Sequence, residues 1–118
     1  MTKEIDSFRK LNLYKQAIRF THQVLDWTSE NSDEIGWKEC VKIRKMAVDI
    51  PKSIAKAAVE INVRNKYKKL NRGKEALQNV VRVLKHFGME YNELSVELLK
   101  LFNGYFGLLN RKKNASRG

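Results

Sequence analysis

A single cysteine, Cys40, has no second thiol in the chain with which to form a disulfide, and it excludes a cysteine-built zinc site. One proline and six glycines in 118 residues are too few for an all-β protein, which must turn about every 8–12 residues. No apolar run approaches the roughly 18 residues that cross a membrane. The first ten residues, MTKEIDSFRK, lack the apolar stretch of a signal peptide. These absences predict a soluble, cytoplasmic, helical protein of one domain. Acidic residues are scarce as well: 13 Asp and Glu stand against 24 Lys and Arg, a formal charge of +11. Such an excess bears on partners rather than on fold, and nucleic acid or an anionic membrane surface are its usual counterparts.

Catalytic patterns are missing too. The two histidines, His22 and His86, stand at unrelated places, and the i,i+4 spacing of His22 and Asp26 is one that arises by chance. There is no glycine-rich phosphate loop and no HExxH helix. No spacing supplies a serine with a base and an orienting group. Cys40 falls on an amphipathic helix as a small core residue, and Trp27 and Trp37 fall at core spacing, with a role as interface anchors the alternative. The chain is therefore expected to be no enzyme and to use neither cofactor nor metal.

What is present is helical periodicity. Residues 1–10 are polar apart from Ile5 and Phe8 and read as a short arm. Leu13, Ala17, Phe20, Val24 and Trp27 then follow a 4-3-4-3 spacing, with Leu11, Tyr14, Ile18 and Leu25 as a second seam beside them. Thr28 to Glu34 is polar and reads as a loop. A second helix is predicted from about Asp33 or Gly36 to about Asn62. Its apolar period runs through Pro51 without a change of phase, and Ile50 is a poor helix cap, so one kinked helix is expected rather than two. Asn62–Asn65 reads as a turn. A third helix buries Tyr67, Leu70, Gly73, Leu77, Val80, Val81, Leu84 and Phe87 and ends at Gly88. Gly73 inside it suggests close approach of another helix. A fourth helix begins near Tyr91 or Asn92. Its stretch Leu98–Leu109 is apolar on nearly every face, which suggests burial against another subunit or at the centre of the core. Residues 110–118 form a basic tail expected to fray. The prediction is an all-α, antiparallel four-helix bundle with a proline-kinked second helix.

The second helix carries two patterns at once. Ile43, Ala47, Ile50, Ile54, Ala57 and Ile61 mark an apolar seam, while Lys38, Lys42, Lys45, Lys52 and Lys56 recur on the other side, with Asp49 in the gap. A second basic cluster holds Arg64, Lys66, Lys68, Lys69, Arg72 and Lys74, with no acid between Ile61 and Lys74. The tail adds Arg111, Lys112, Lys113 and Arg117. Any one of these cations reads as a solvated surface group. Together they predict an anion-binding surface that neutralises phosphates. Only Tyr67 is interleaved among them, which argues against a base-stacking groove and for backbone contacts with RNA or DNA. A membrane surface is disfavoured, because the basic helices use their apolar faces to hold the core.

The segment from Ile43 to Ala55, IRKMAVDIPKSIA, resembles the "IRRAAVSIPSNIAEG" stretch of a four-helix-bundle family. That family comprises the rRNA intervening-sequence proteins and the accessory variability determinants of diversity-generating retroelements. Phe8, Leu11, Tyr14 and Ala17 are similar to its opening "F..L..W..A", and Phe87-Gly88 to the "LG" before its last helix. Where the family reads "NIAEG", this chain has Ser53-Ile54-Ala55-Lys56-Ala57. The resemblance implies a homopentameric, barrel-like assembly of four-helix subunits. The basic balance and the Leu109-Asn110-Arg111-Lys112 ending look more like the accessory proteins, which bind nucleic acid and a reverse transcriptase. The alternative is an intervening-sequence-type protein with a structural or ribosome-associated role.

Overall fold

The computed structural model describes the backbone of residues 2–89 and 92–117 and the side chains of residues 11–89 and 92–111. Every regular element among them is an α-helix: α1 (Thr2–Glu30), a short α2 (Ser32–Ile35), α3 (Trp37–Ala58), α4 (Val63–His86) and α5 (Glu93–Arg117). The chain measures 55 × 22 × 18 Å. Helix α1 packs on α3 and α5, and α4 packs on α3 and α5. The pairs α1/α3 and α4/α5 thus form opposite sides. None of the helices is long and apolar enough, among the described residues, to cross a membrane.

The helices extend further than the apolar period does. Residues 2–10, expected as an arm, are the first turns of α1. No glycine or proline interrupts the chain before Gly36, and a helix once nucleated propagates through good helix formers such as Lys, Glu and Arg. For the same reason the expected loop at residues 28–34 shrinks to Asn31, between α1 and α2. The break falls at Gly36, whose φ of +89° only glycine takes readily. The tail from Asn110 to Arg117 likewise continues α5.

Caps set the other ends. Val59–Asn62 forms the turn after α3, earlier than predicted, because the Asn62 side chain accepts the Asn65 N–H at 3.1 Å and starts α4. Gly88 ends α4 where expected, with φ +101°. The Gly88 N–H donates to Lys85 O and the Met89 N–H to Leu84 O, the paired bonds of a Schellman motif. Asn92 opens α5 by accepting the Ser95 N–H at 2.9 Å, and its amide donates to Gln23 on α1 at 3.0 Å.

The core takes the predicted seams. Leu13, Ala17, Phe20 and Val24 of α1 and Ile43, Ala47, Ile50, Ile54 and Ala57 of α3 are buried, as are Leu70, Leu77, Val80 and Leu84 of α4. Cys40 is buried among them. Leu94, Leu98, Phe102, Tyr105, Phe106 and Leu109 of α5 complete the core, while Leu99 and Leu101 are half-buried against it. The apolar excess of α5 is thus spent mostly inside the chain. Five residues expected at buried positions are exposed instead. Leu11 and Tyr14, half of the second seam of α1, lie at its edge, beyond the faces that meet α3 and α5. Ile61 falls in the turn beyond the end of α3, and Trp37 is the first residue of that helix, one turn before the core begins at Cys40. Tyr67 is 39 % exposed at the edge of α4, where its ring rests 4.8 Å from that of Phe106. Gly73 is a close approach, as predicted: a Cβ there would lie 3.2 Å from the Phe102 ring and 3.3 Å from Ser53 Cβ.

Pro51 lies inside α3, which continues through it to Ala58. Proline has no N–H for the carbonyl four residues back, which here is Ala47. That carbonyl is met from α1, where the buried Thr21 hydroxyl lies 3.1 Å from Ala47 O and 2.8 Å from Ala17 O and can donate to either. Thr21→Val keeps the shape and removes the donor. It is expected to destabilise the fold by about 1–2 kcal/mol in chemical denaturation, the cost of a buried carbonyl without a partner. A value near zero would show that the carbonyl is satisfied otherwise.

Candidate nucleic-acid interface

The lysines of α3 and the cations of α4 come from separate stretches of sequence, yet part of each lines one groove. Lys52, Ser53 and Lys56 form one wall, Lys69 and Arg72 the other, and the space between them is about 640 Å3. Asp49 and Glu75 lie in the same groove, so its charge is mixed, with four cations over two carboxylates. A second concavity of about 420 Å3 continues along α3 past Arg44, Lys45, Val48, Asp49 and Lys52. Asp49 and Lys52 belong to both.

Of the predicted site residues, Lys45, Lys52, Lys56, Lys69 and Arg72 are therefore brought together. Lys69 is partly engaged, since its Nζ lies 2.6 Å from Glu60 Oε2. Lys38 and Lys42 are exposed on the first turns of α3, outside both concavities, and Lys42 lies 3.6 Å from Glu39. Arg64 and Lys68 are exposed and fall on one stripe with Arg72 at i,i+4 spacing. Lys66 is half-buried. Lys74 points the other way, with its Nζ 5.5 Å from the centroid of the Phe106 ring on α5. Arg111 is exposed and its Nε donates to Gly107 O at 3.4 Å. The side chains of Lys112 and Lys113 lie outside the described residues.

Arg44 is the residue that sequence reasoning passes over. It sits one position before Lys45, off the lysine row, and it links two helices. Its Nε donates to Thr28 Oγ1 at 3.0 Å and its Nη2 to Ser29 Oγ at 2.7 Å, both on α1. Those bonds hold the α3 surface that carries Lys45 against α1. The i,i+7 relation of Arg44 to Trp37 and Pro51 is the available signal, because it puts the arginine on a flank of the helix.

What this arrangement can do is bind anions through side-chain cations. The one aromatic ring of the second cluster, Tyr67, is packed on Phe106, so it offers no open stacking platform. His22 and His86 are exposed and apart from the groove, and His86 stands edge-on to Phe87. Among the described residues no group of three or more His, Cys, Asp or Glu is placed to hold a metal ion. Compared with family models, curated proteins and solved structures, the chain matches none of them.

Proposed function

We propose that this protein is a non-catalytic nucleic-acid-binding accessory protein that holds RNA or DNA by its phosphate backbone. The observation that carries the reading is the α3/α4 groove, where two basic clusters distant in sequence face each other as Lys52 and Lys56 against Lys69 and Arg72. Cations on two walls match a polyanion better than a single solvated row does, and each phosphate neutralised releases counterions. The segment that resembles the retroelement accessory proteins, Ile43–Ala55, supplies Arg44, Lys45, Lys52 and Ser53 to this surface. On that resemblance the partner is a reverse transcriptase and the copies assemble as a homopentamer in the cytoplasm. The subunit is an antiparallel four-helix bundle with α3 bent at Pro51. The contacts of Thr21 with Ala47 and of Thr28 with Arg44 support opposite directions for α1 and α3, and the missing amide of Pro51 supports the bend.

The test is anisotropy titration of labelled duplex and single-stranded RNA and DNA over a range of salt. Affinity is expected to vary little between unrelated sequences and to fall with salt at a log–log slope of about −3 to −5, corresponding to roughly four to six phosphates. A flat salt response, or strong preference for one sequence, would defeat backbone binding.

A further inference from the structure

The turn between α3 and α4 reads Val59-Glu60-Ile61-Asn62, and only Asn62 is a residue that turns usually take. Val59 is 81 % and Ile61 96 % exposed, the two highest values for large apolar side chains among the described residues. In sequence Ile61 continues the apolar spacing of α3, but α3 ends at Ala58 and the side chain leaves the core. An aliphatic group held in water costs free energy that a contact with apolar matter recovers.

The turn stands at the end of the groove. Lys52 and Lys56 lie within about 9 Å of the last residue of α3, and Lys69 and Arg72 within about 14 Å of the first residue of α4, at 1.5 Å per residue. Arg64 and Lys68 are exposed on the first two turns of α4. Between Ile50 and Lys74 the one acid is Glu60, and its carboxylate lies 2.6 Å from Lys69 Nζ. Two bare aliphatic side chains are thus flanked by cations on both helices.

A ligand that suits both features is anionic outside and apolar within. Nucleic acid has that build, with phosphates over a stack of bases. An anionic bilayer has it too, but a bilayer is flat, and the groove cations face each other across a concavity behind the turn. A strand of phosphates can enter such a concavity. We infer that Ile61, backed by Val59, wedges between two neighbouring bases of the nucleic acid whose phosphates the groove holds. Aliphatic side chains do this in proteins that kink nucleic acid, and the wedge partly unstacks one step. The loss of stacking is least at a mismatched or unpaired base, so the wedge selects bulges and other deformable places by structure rather than by sequence. The inference rests on backbone binding by the groove and adds to it a contact with the bases.

The fluorescent base 2-aminopurine, which brightens when unstacked, provides the test when placed beside a single-nucleotide bulge in a short RNA or DNA duplex. On saturation with wild-type protein its emission is expected to rise about twofold or more, and the bulged duplex to bind about tenfold more tightly than its fully paired counterpart. Ile61→Ala is expected to remove the rise and most of the preference, while the salt slope stays as it was, because no cation is lost. Ile61→Leu should restore both. Position 61 is exposed, so none of these changes touches the core. Binding with the expected salt dependence but no rise in emission would overturn the wedge and leave the groove standing. A wild-type chain that binds no nucleic acid would remove both. Capture by phosphatidylglycerol vesicles that is lost in Ile61→Asp, with the emission rise unchanged in Ile61→Ala, would assign the turn to a lipid surface and overturn the wedge.

Discussion

Replacing Lys45, Lys52, Lys56 and Arg72 together with alanine is expected to weaken binding of duplex nucleic acid by about two to three orders of magnitude near 0.1 M salt. The four line the two concavities along α3, and among the described residues none of them is ion-paired to a carboxylate, unlike Lys69 and Lys42. Every phosphate left without its cation should make the log–log salt slope shallower by about 0.9, so the slope reports how many of the four touch the ligand. All four side chains are exposed, so the fold should be unaffected. Lys74→Ala is the matched control: it removes the same charge from the α5 side of α4 and should change affinity less than threefold or so. Equal losses from Lys74→Ala and from any single groove variant would mean that net charge binds and the groove does not.

Phe102→Ala is expected to be the most damaging single change to stability, costing about 3–5 kcal/mol, a large share of the 5–15 kcal/mol or so that holds a domain of this size. The ring is fully buried, lies 6.4 Å from the Phe106 ring, and fills the space that a Cβ at position 73 would otherwise occupy. The coupling to Gly73 makes the prediction sharper. In the native chain Gly73→Ala sets a methyl 3.2 Å from the Phe102 ring, and crowding offsets the gain in helix propensity of about 1 kcal/mol. In the Phe102→Ala background the same methyl enters vacated space, so Gly73→Ala should stabilise. A double-mutant cycle by chemical denaturation measures this, and strict additivity would show that the two helices do not meet through that ring.

Much of this is legible in the sequence because it depends on period. The seam from Ile43 to Ala57 and the opposing lysines are fixed by about 100° per residue, whatever the neighbours do. Gly88 as a helix stop and Gly73 as a contact follow from what glycine alone allows. The remainder depends on which flank meets which helix. Lys69 and Lys74 look alike in sequence, yet one lines the α3 groove and the other lies over an α5 ring. Periodicity puts them on opposite flanks of α4, but nothing local says which flank meets α3. Residues 2–10 are not an arm, because apolar spacing reports burial, whereas a helix can run on through polar residues that lack a breaker. The role of Arg44 is hidden as well, because only its bonds to Thr28 and Ser29 show which flank of α3 meets α1.

The contact of Thr21 with Ala47 also sets an order on how this chain can change over generations. While Pro51 is present, loss of the threonine hydroxyl leaves a buried carbonyl bare, so position 21 is held in place by a residue thirty positions away. If Pro51 is first exchanged for alanine, the helix regains its own N–H for that carbonyl and position 21 is free to drift. The two substitutions give the same final sequence by either route, but only one route avoids a damaged intermediate. Descendants of this chain should therefore include some with threonine and no proline, and few with proline and no hydroxyl at position 21.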